Sequence, residues 1–483
     1  MMSDLASEIK ESGWRFPNVN KIDLHKIHDT TLRVLKEIGL RFLDSEAISI
    51  FKHHGFKTNG DNVFFDESEV EQALDSAPSQ FTLFARNPVK NVIIGGKDLV
   101  ITPGYGASAI IEDDGSQRPG TIDDYRYFCK LIHTSDQIDV TGSIMIQPTD
   151  LPPETSHIDM ILANIMLCDK PFTGGSISRQ SVMDSLKMIG LLWGGKKQLL
   201  RKVVTIAAIS PLSPLQYGEE SIAALIEYSR HGQGILIGPC VMAGTTGPIG
   251  LAGTVCVQNA ELLAGLILAQ LVRPGVPVIY GGTSSITDLR TGRLSIGAPE
   301  FAMIQLATLQ MGRFYNLPTR GSGGLTDANI PDMQAGIETT IGLASAILGG
   351  CNFIWHGCGI LSSYGAMNFS KFVIDEGICR YLRYISKGFE INDNTIDFEA
   401  IKQVGIGGEF ITHPTTFSRC RTAFYSETLM TRDDHSIWID KNKQTVIDNA
   451  KEQIKDRIEG YDEPLVDSEI KKDLLKFVSN VKK

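Results

Sequence analysis

The chain lacks a C-x-x-C pair. Its eight cysteines, Cys129, Cys168, Cys240, Cys256, Cys351, Cys358, Cys379 and Cys420, are scattered. That spacing excludes a zinc-ribbon framework and suits reduced thiols in a cytoplasmic protein. A basic surplus is also missing: 46 Lys and Arg stand against 56 Asp and Glu, a net charge of −10. Nothing is there to neutralise phosphates, so no nucleic-acid partner is expected. The most apolar stretch, 260–272, is broken by Glu261 and Gln270 and falls short of a bilayer span. It reads as a buried core helix, and no membrane association is expected. The first residues carry Asp4, Glu8, Lys10 and Glu11 rather than an apolar run, so no secretory signal is expected. Low-complexity tracts are absent, and 42% hydrophobic with 21% charged residues excludes disorder over most of the length.

What is present is a rhythm. The first 97 residues are mixed. Ile27, Thr31, Val34 and Ile38 share a helical face ending at Gly39, Asp44 can cap a second helix, and Asp66 with Glu69 forms a capping box for a third. Short β-rich runs follow, giving an N-terminal α/β cap over 1–97. Strand candidates then recur at 99–102, 138–146, 171–174, 202–208, 235–237, 277–280, 317–320 and 352–356. Each is followed by a helical pattern, starting near Ile122, Glu154, Arg179, Tyr217, Thr254, Pro299, Asp332 and Asn368. Eight such units predict an α/β fold, a (β/α)8 TIM barrel over 98–390. In the sixth helix Phe301, Ile304, Thr308, Met311 and Tyr315 share a face; in the seventh, Met333, Ile337, Ile341, Ala344 and Leu348 do. Residues 391–483 read as a C-terminal helical extension packed on the barrel.

A barrel places its chemistry where strands end. Those positions hold Tyr105, Gln147, Ser176, Ser210, Pro239, Gly281, Arg320 and His356, with no Lys for a Schiff base and no carboxylate pair for glycoside hydrolysis. His356 is either a hydrogen-bonded strand-end histidine or a ligand. Cys351, His356 and Cys358 could join His413 or Cys420 around zinc, though the spacing matches no zinc pattern. Tyr105, Phe172, Trp355, Tyr364 and Phe369 lie at or past strand ends, as rim packing or as a cage for a cation. Arg320 either pairs with Asp327 in the following loop or binds a substrate carboxylate. Gln334 and Glu338, one helical turn apart, can tie that loop down.

The segments Leu167-Cys168-Asp169-Lys170-Pro171, Gly297-Ala298-Pro299-Glu300, Pro331-Asp332-Met333-Gln334-Ala335-Gly336 and Gly407-Gly408-Glu409-Phe410-Ile411-Thr412-His413-Pro414, in this order, carry a resemblance. The chain resembles the trimethylamine methyltransferase family along nearly its whole length. The resemblance implies a barrel that moves a methyl group from a methylated amine to the cobalt of a separate corrinoid protein, within one-carbon metabolism of the methanogenic kind. This chain would hold no cofactor tightly; the corrinoid (cobalamin) arrives on the partner, and self-association is left open. Trimethylamine-demethylating members carry pyrrolysine, expected around residues 355–364, whereas this chain has only standard residues. That departure points to the branch acting on quaternary amines such as glycine betaine, proline betaine or carnitine. Tyr105, Trp355 and Tyr364 are then expected to face the ammonium. Arg320 and His356 would bind the carboxylate, with Asp327 beside them in the substrate-binding set and no residue acting as a chemical catalyst. Two alternatives stand: a zinc-dependent thiol or alcohol methyltransferase, and a non-catalytic betaine-binding protein.

Overall fold

The computed structural model describes residues 21–142, 144–426 and 428–482, with side chains from Asp23 onward. Eight short parallel segments follow one another around a ring. Val100–Ile101 is joined to the second segment by the Asp139 N–H, which donates to the Ile101 carbonyl at 2.8 Å. Thr141 bridges to Phe172, and the Gly174 N–H donates to Ile206 at 3.0 Å. Ile206–Ile209 pairs with Gly234–Ile237, which pairs with Val278–Tyr280. The Tyr280 N–H reaches the Pro318 carbonyl at 2.8 Å. Arg320–Ser322 pairs with Phe353–Trp355, which pairs back with Val100–Ile101, so the ring returns to its start. The second segment is shorter than the sequence suggests: Ile146 bridges Ala107 in the loops above the barrel instead.

The eight helices lie between the strands, at Ile122–His133, Ser156–Leu167, Arg179–Trp193, Glu219–Arg230, Leu251–Val272, Pro299–Phe314, Met333–Ile347 and Phe369–Lys387. Local chemistry starts them. Thr121 and Asp124 form a capping box, Pro299 occupies the first turn, and Asp332 and Asn368 accept the N–H groups of Ala335 and Lys371. Val100, Val140, Ile206, Leu236, Ile279 and Phe353 fill the barrel interior. A hairpin of Gln80–Leu83 and Val92–Gly95 adds Leu83 and Ile94 to this core, and the Phe84 N–H bonds the Val203 carbonyl at 2.8 Å. The hairpin therefore covers the end where the strands begin.

Leu251–Val272 extends the expected apolar stretch to 22 residues, long and apolar enough to cross a membrane by length and composition; 83% of its most apolar window is buried inside the protein. The cap helices Lys21–Arg33, Ser45–His53 and Glu67–Ser76 pack along its outer side. Glu261, on this helix, is wholly buried; it accepts the Leu215 N–H at 2.7 Å and the Ser213 hydroxyl at 2.8 Å. The adjoining strand Gln216–Tyr217 pairs with the cap strand Leu40–Phe42. The carboxylate thus anchors the loop on which cap and barrel meet.

One helical face differs from expectation. Phe301, Ile304, Thr308, Met311 and Tyr315 are buried as the periodicity implies, but Met333, Ile337 and Ile341 point outward, at 81%, 53% and 46% exposure. The side of that helix facing the barrel is built from Ala335, Thr339, Gly342, Leu343 and Ala346. Small residues win there because the helix lies against backbone: a Cβ on Gly342 would meet the Gly323 carbonyl oxygen at 2.5 Å. Beyond the barrel, Val446–Glu459 packs on Phe369–Lys387, with Arg457 and Glu376 paired at 2.5 Å, and Ser468–Val481 packs on Arg179–Trp193.

Burial pushes the Glu261 carboxyl from its ordinary value of 4.5 up to about 7, against the pull of its two hydrogen bonds. A group whose folded pKa is raised contributes its stability below the unfolded value and loses it as pH rises through the folded one. The loss amounts to on the order of 2–3 kcal/mol between pH 4.5 and 8. Glu261→Gln keeps a donor and an acceptor in place without the charge. Its melting midpoint should match that of the parent at pH 5 and exceed it by about 2 °C or more at pH 8. Equal midpoints at both pH values would contradict this account of Glu261.

Candidate active site at the barrel mouth

Arg320 opens the seventh strand rather than ending it, and is 2% exposed. Its Nε and Nη1 atoms are buried without a hydrogen-bond partner, and it forms no ion pair among the described residues. Its Nη1 stands 4.0 Å from where a Gly238 Cβ would be, and the Tyr364, Cys351 and Cys240 side chains surround it. Burial lowers the guanidinium to about 10, which still leaves a cation at neutral pH. The ion pair with Asp327 does not form. Asp327 instead accepts the N–H groups of Ile296 at 3.1 Å and Gly297 at 3.0 Å and the Ser363 hydroxyl at 2.7 Å. Its carboxylate joins three loops, and the Arg320–Asp327 pair read as one alternative in the sequence is absent.

Aromatic rings cluster beside that cation. Trp355 and His356 are buried, and Tyr105 and Tyr364 are half-buried. The Tyr105 ring lies 4.9 Å from Trp355 and 6.1 Å from His356, and His356 lies 5.0 Å from Tyr364. The structure therefore brings together Tyr105, Arg320, Trp355, His356 and Tyr364. Phe172 and Phe369 go elsewhere, into apolar packing with Ile158 and with Phe128 respectively. His356 Nδ1 sits 3.3 Å from the Ser322 hydroxyl. Burial first, and the Arg320 charge second, hold the imidazole well below its usual range, so it is neutral at physiological pH. His356, Ser362 and Ser363 have φ of +63°, +51° and +64°. Such left-handed residues cost about 1–3 kcal/mol each and persist where neighbours over-determine them.

Groups that no motif announced do that over-determining. Lys371 and Asp375, one turn apart on the last barrel helix, form a fully buried ion pair at 2.6 Å. Lys371 Nζ also donates to Thr339 at 2.9 Å and to the Gly324 carbonyl at 3.3 Å, while Asp375 accepts the Gly359 N–H at 2.8 Å. The Gly324 N–H in turn donates to the His356 carbonyl at 2.6 Å. One ion pair thus ties the loops after the seventh and eighth strands. An i, i+4 Lys–Asp pair was legible in the sequence, but it reads there as a solvated surface pair. Gln334 and Glu338 behave as expected: Glu338 accepts the Asp327 N–H at 2.8 Å, the Thr326 hydroxyl at 2.5 Å and the Gln334 amide at 2.9 Å.

The Cys168-Asp169-Lys170-Pro171 segment works away from the mouth. Asp169 pairs with Lys90 at 2.5 Å, and Lys170 Nζ donates to the Ser135 and Ile138 carbonyls at 2.7 and 2.5 Å, where the third strand begins. The five candidate zinc ligands are not gathered. Cys351 bonds the Thr319 and Phe353 carbonyls, Cys358 adjoins Cys379, His413 bonds Thr415 and Gln403, and Cys420 is exposed. No cluster of three or more His, Cys, Asp or Glu side chains suited to a metal occurs among the described residues.

A ring of eight parallel strands, with an unpartnered arginine and a group of aromatic rings at its mouth, defines a (β/α)8 barrel with its candidate site in the place such barrels use. Comparison with known proteins gives the family. Residues 4–483 match the model of the trimethylamine methyltransferase (MTTB) family. The chain is 40% identical to the glycine betaine methyltransferase of Desulfitobacterium hafniense (strain Y51), over 94% of this chain and 95% of that one. It is 33% identical to the proline betaine:corrinoid methyltransferase of Eubacterium limosum, over 92% and 94% of the two chains. Among solved structures, the monomethylamine methyltransferase of Methanosarcina barkeri shares the fold at a TM-score of 0.50 and 12% identity, covering 90% of this chain and 98% of that one. The chain belongs to the trimethylamine methyltransferase family and is a methyltransferase.

The loop-tying role of the Lys371–Asp375 pair has a measurable signature. Lys371→Met leaves a buried carboxylate without its cation and should destabilise the fold by about 3–5 kcal/mol. The double variant Lys371→Met with Asp375→Leu should be less destabilised than the single one in denaturant unfolding. A double variant that loses the sum of both single effects would contradict the pairing.

Proposed function

We propose that this chain transfers a methyl group from a quaternary amine bearing a carboxylate, of the glycine betaine, proline betaine or carnitine class, to the Co(I) of a corrinoid carried by a separate protein. The observation that carries the reading is Arg320, a buried cation without a partner beneath an aromatic wall. Leaving such a charge unpaired costs several kcal/mol, and a ligand carboxylate offsets that cost through charge-assisted hydrogen bonds of about 1.5–3 kcal/mol each. The rings of Tyr105, Trp355 and Tyr364 suit the other end of the zwitterion, each desolvated cation–π contact contributing about 2 kcal/mol. His356, neutral, adds a hydrogen bond without adding charge.

The chemistry asks little more of the protein. A quaternary ammonium leaves as a neutral tertiary amine, so no acid needs to protonate it. The corrinoid, when its carrier docks, supplies a strong cobalt nucleophile. This chain's residues bind the zwitterion, turn one methyl toward the opening and exclude water. The names of the similar proteins, glycine betaine, proline betaine and carnitine methyltransferases, support the same substrate class. The eight free cysteines suit a cytoplasmic setting. The dispersal of Cys351, His356, Cys358, His413 and Cys420 leaves the zinc alternative without a ligand set among the described residues.

Arg320→Ala should raise KM for the betaine substrate about a hundredfold or more, the value of its charged hydrogen bonds. Binding of tetramethylammonium, which has no carboxylate, should change little in the same variant, as read by titration calorimetry. A betaine KM that is unchanged in the variant would remove Arg320 from the site.

A further inference from the structure

The barrel mouth holds a second side chain with an orphaned polar atom. The Tyr364 hydroxyl oxygen is sealed from solvent and has no hydrogen-bond partner among the described residues, and the same holds for Nε and Nη1 of Arg320. The two side chains are neighbours: the guanidinium lies within electrostatic reach of the phenol, and the Cys240 thiol stands beside both. That thiol is committed to the Thr283 carbonyl, at 3.5 Å. The Thr283 hydroxyl is also near, yet closes no hydrogen bond to the phenol. Tyr364 as a residue is only half-buried, so its ring shows at the mouth while its hydroxyl points inward. Burial holds the phenol protonated far above neutral pH, so the hydroxyl is able to donate.

The fold keeps that hydroxyl in place. Tyr364 follows Ser362 and Ser363 in the turn between Ile360–Leu361 and Ala366–Met367. The Ser362 and Ser363 N–H groups donate to the Ala328 and Thr326 carbonyls at 2.8 and 2.9 Å, and the Ser363 hydroxyl donates to Asp327 at 2.7 Å. The turn is thus clamped to the loop after the seventh strand, and the phenol cannot swing out to water without breaking those bonds. A buried hydroxyl without a partner is unfavourable, and folded proteins keep few of them. Two donor groups left open side by side ask for one acceptor with several lone pairs, and a carboxylate is that acceptor. We propose that the Tyr364 hydroxyl is a specificity-determining donor that meets the ligand carboxylate together with Arg320, a role separate from that of its ring beside the ammonium. The proposal rests on the carboxylated-amine reading above. A quaternary ammonium accepts no hydrogen bond, so the hydroxyl sorts carboxylated from uncarboxylated amines.

Tyr364→Phe keeps the ring and deletes the hydroxyl, which separates the two roles. Titration calorimetry on the full chain, parent and variant, uses glycine betaine, proline betaine, carnitine and tetramethylammonium. The parent should bind at least one of the three carboxylated amines. The variant should bind that amine about tenfold more weakly or worse, the worth of one charge-assisted hydrogen bond, and bind tetramethylammonium as the parent does. Its melting midpoint without ligand should not fall, since the hydroxyl has no partner to lose. An unchanged affinity for the carboxylated amine would overturn the proposal and leave the part of Arg320 standing. Equal losses for that amine and for tetramethylammonium would also overturn it, because the effect would then lie in the ring. A parent that binds none of the three would overturn the carboxylated-amine reading itself, and this proposal with it.

Discussion

A buried arginine without a counter-ion is the constraint on which this molecule depends. Arg320 has two nitrogens sealed from water and from every hydrogen-bond acceptor among the described residues. Such a group is costly in a resting protein and persists when the surroundings cannot relax to meet it. Here the surroundings are a strand wall, the Trp355 and His356 pair, and loops held in place from behind. The carboxylate closest along the chain, Asp327, is kept away by two backbone N–H groups and a serine hydroxyl. The barrel mouth therefore holds a positive charge that no side chain among the described residues neutralises.

The same logic orders the layers around it. Lys371 and Asp375 hold the two loops that shape the mouth, and Glu338 holds the Asp327 loop from the neighbouring helix. Those loops hold His356, Ser362 and Ser363 in left-handed conformations that a free chain would leave. At the opposite end, the hairpin of Gln80–Leu83 and Val92–Gly95 fills the barrel, while on the mouth side Glu261 holds the loop after the fourth strand, which pairs with the cap. Rigid support behind a small site is what positioning one methyl group requires. In the proposed reaction the reacting groups belong to the substrate and the corrinoid, and the protein's part is shape, dryness and one charge.

Much of this was legible in the sequence because strand–helix alternation leaves a strong periodic trace. The eight strand positions and the starts of the eight helices stand where the pattern put them, within a few residues, and Trp355 ends its strand with His356 just after it, whereas Arg320, counted as the end of the seventh strand, opens it. What the pattern could not show was direction and pairing. Met333, Ile337 and Ile341 mark a helical face without saying which side touches the barrel; Gly342 and Gly323 decide that through a close backbone approach. Asp327 looked like a partner for Arg320 because they are seven residues apart, yet the competing N–H groups come from residues 296 and 297, brought near only by the closed ring. Lys371 and Asp375 stand one helical turn apart, but nothing local marks them as a buried pair, since burial depends on elements far away in the chain.

The most direct test is anaerobic methyl transfer followed in the visible spectrum, with the protein, a reduced corrinoid protein and a panel of amines. The account predicts methylcob(III)alamin formation with at least one of glycine betaine, proline betaine or carnitine, and none with choline or trimethylamine, which offer Arg320 no carboxylate. Turnover of choline or trimethylamine with the three carboxylated amines silent would contradict the central claim that the unpartnered arginine selects the substrate.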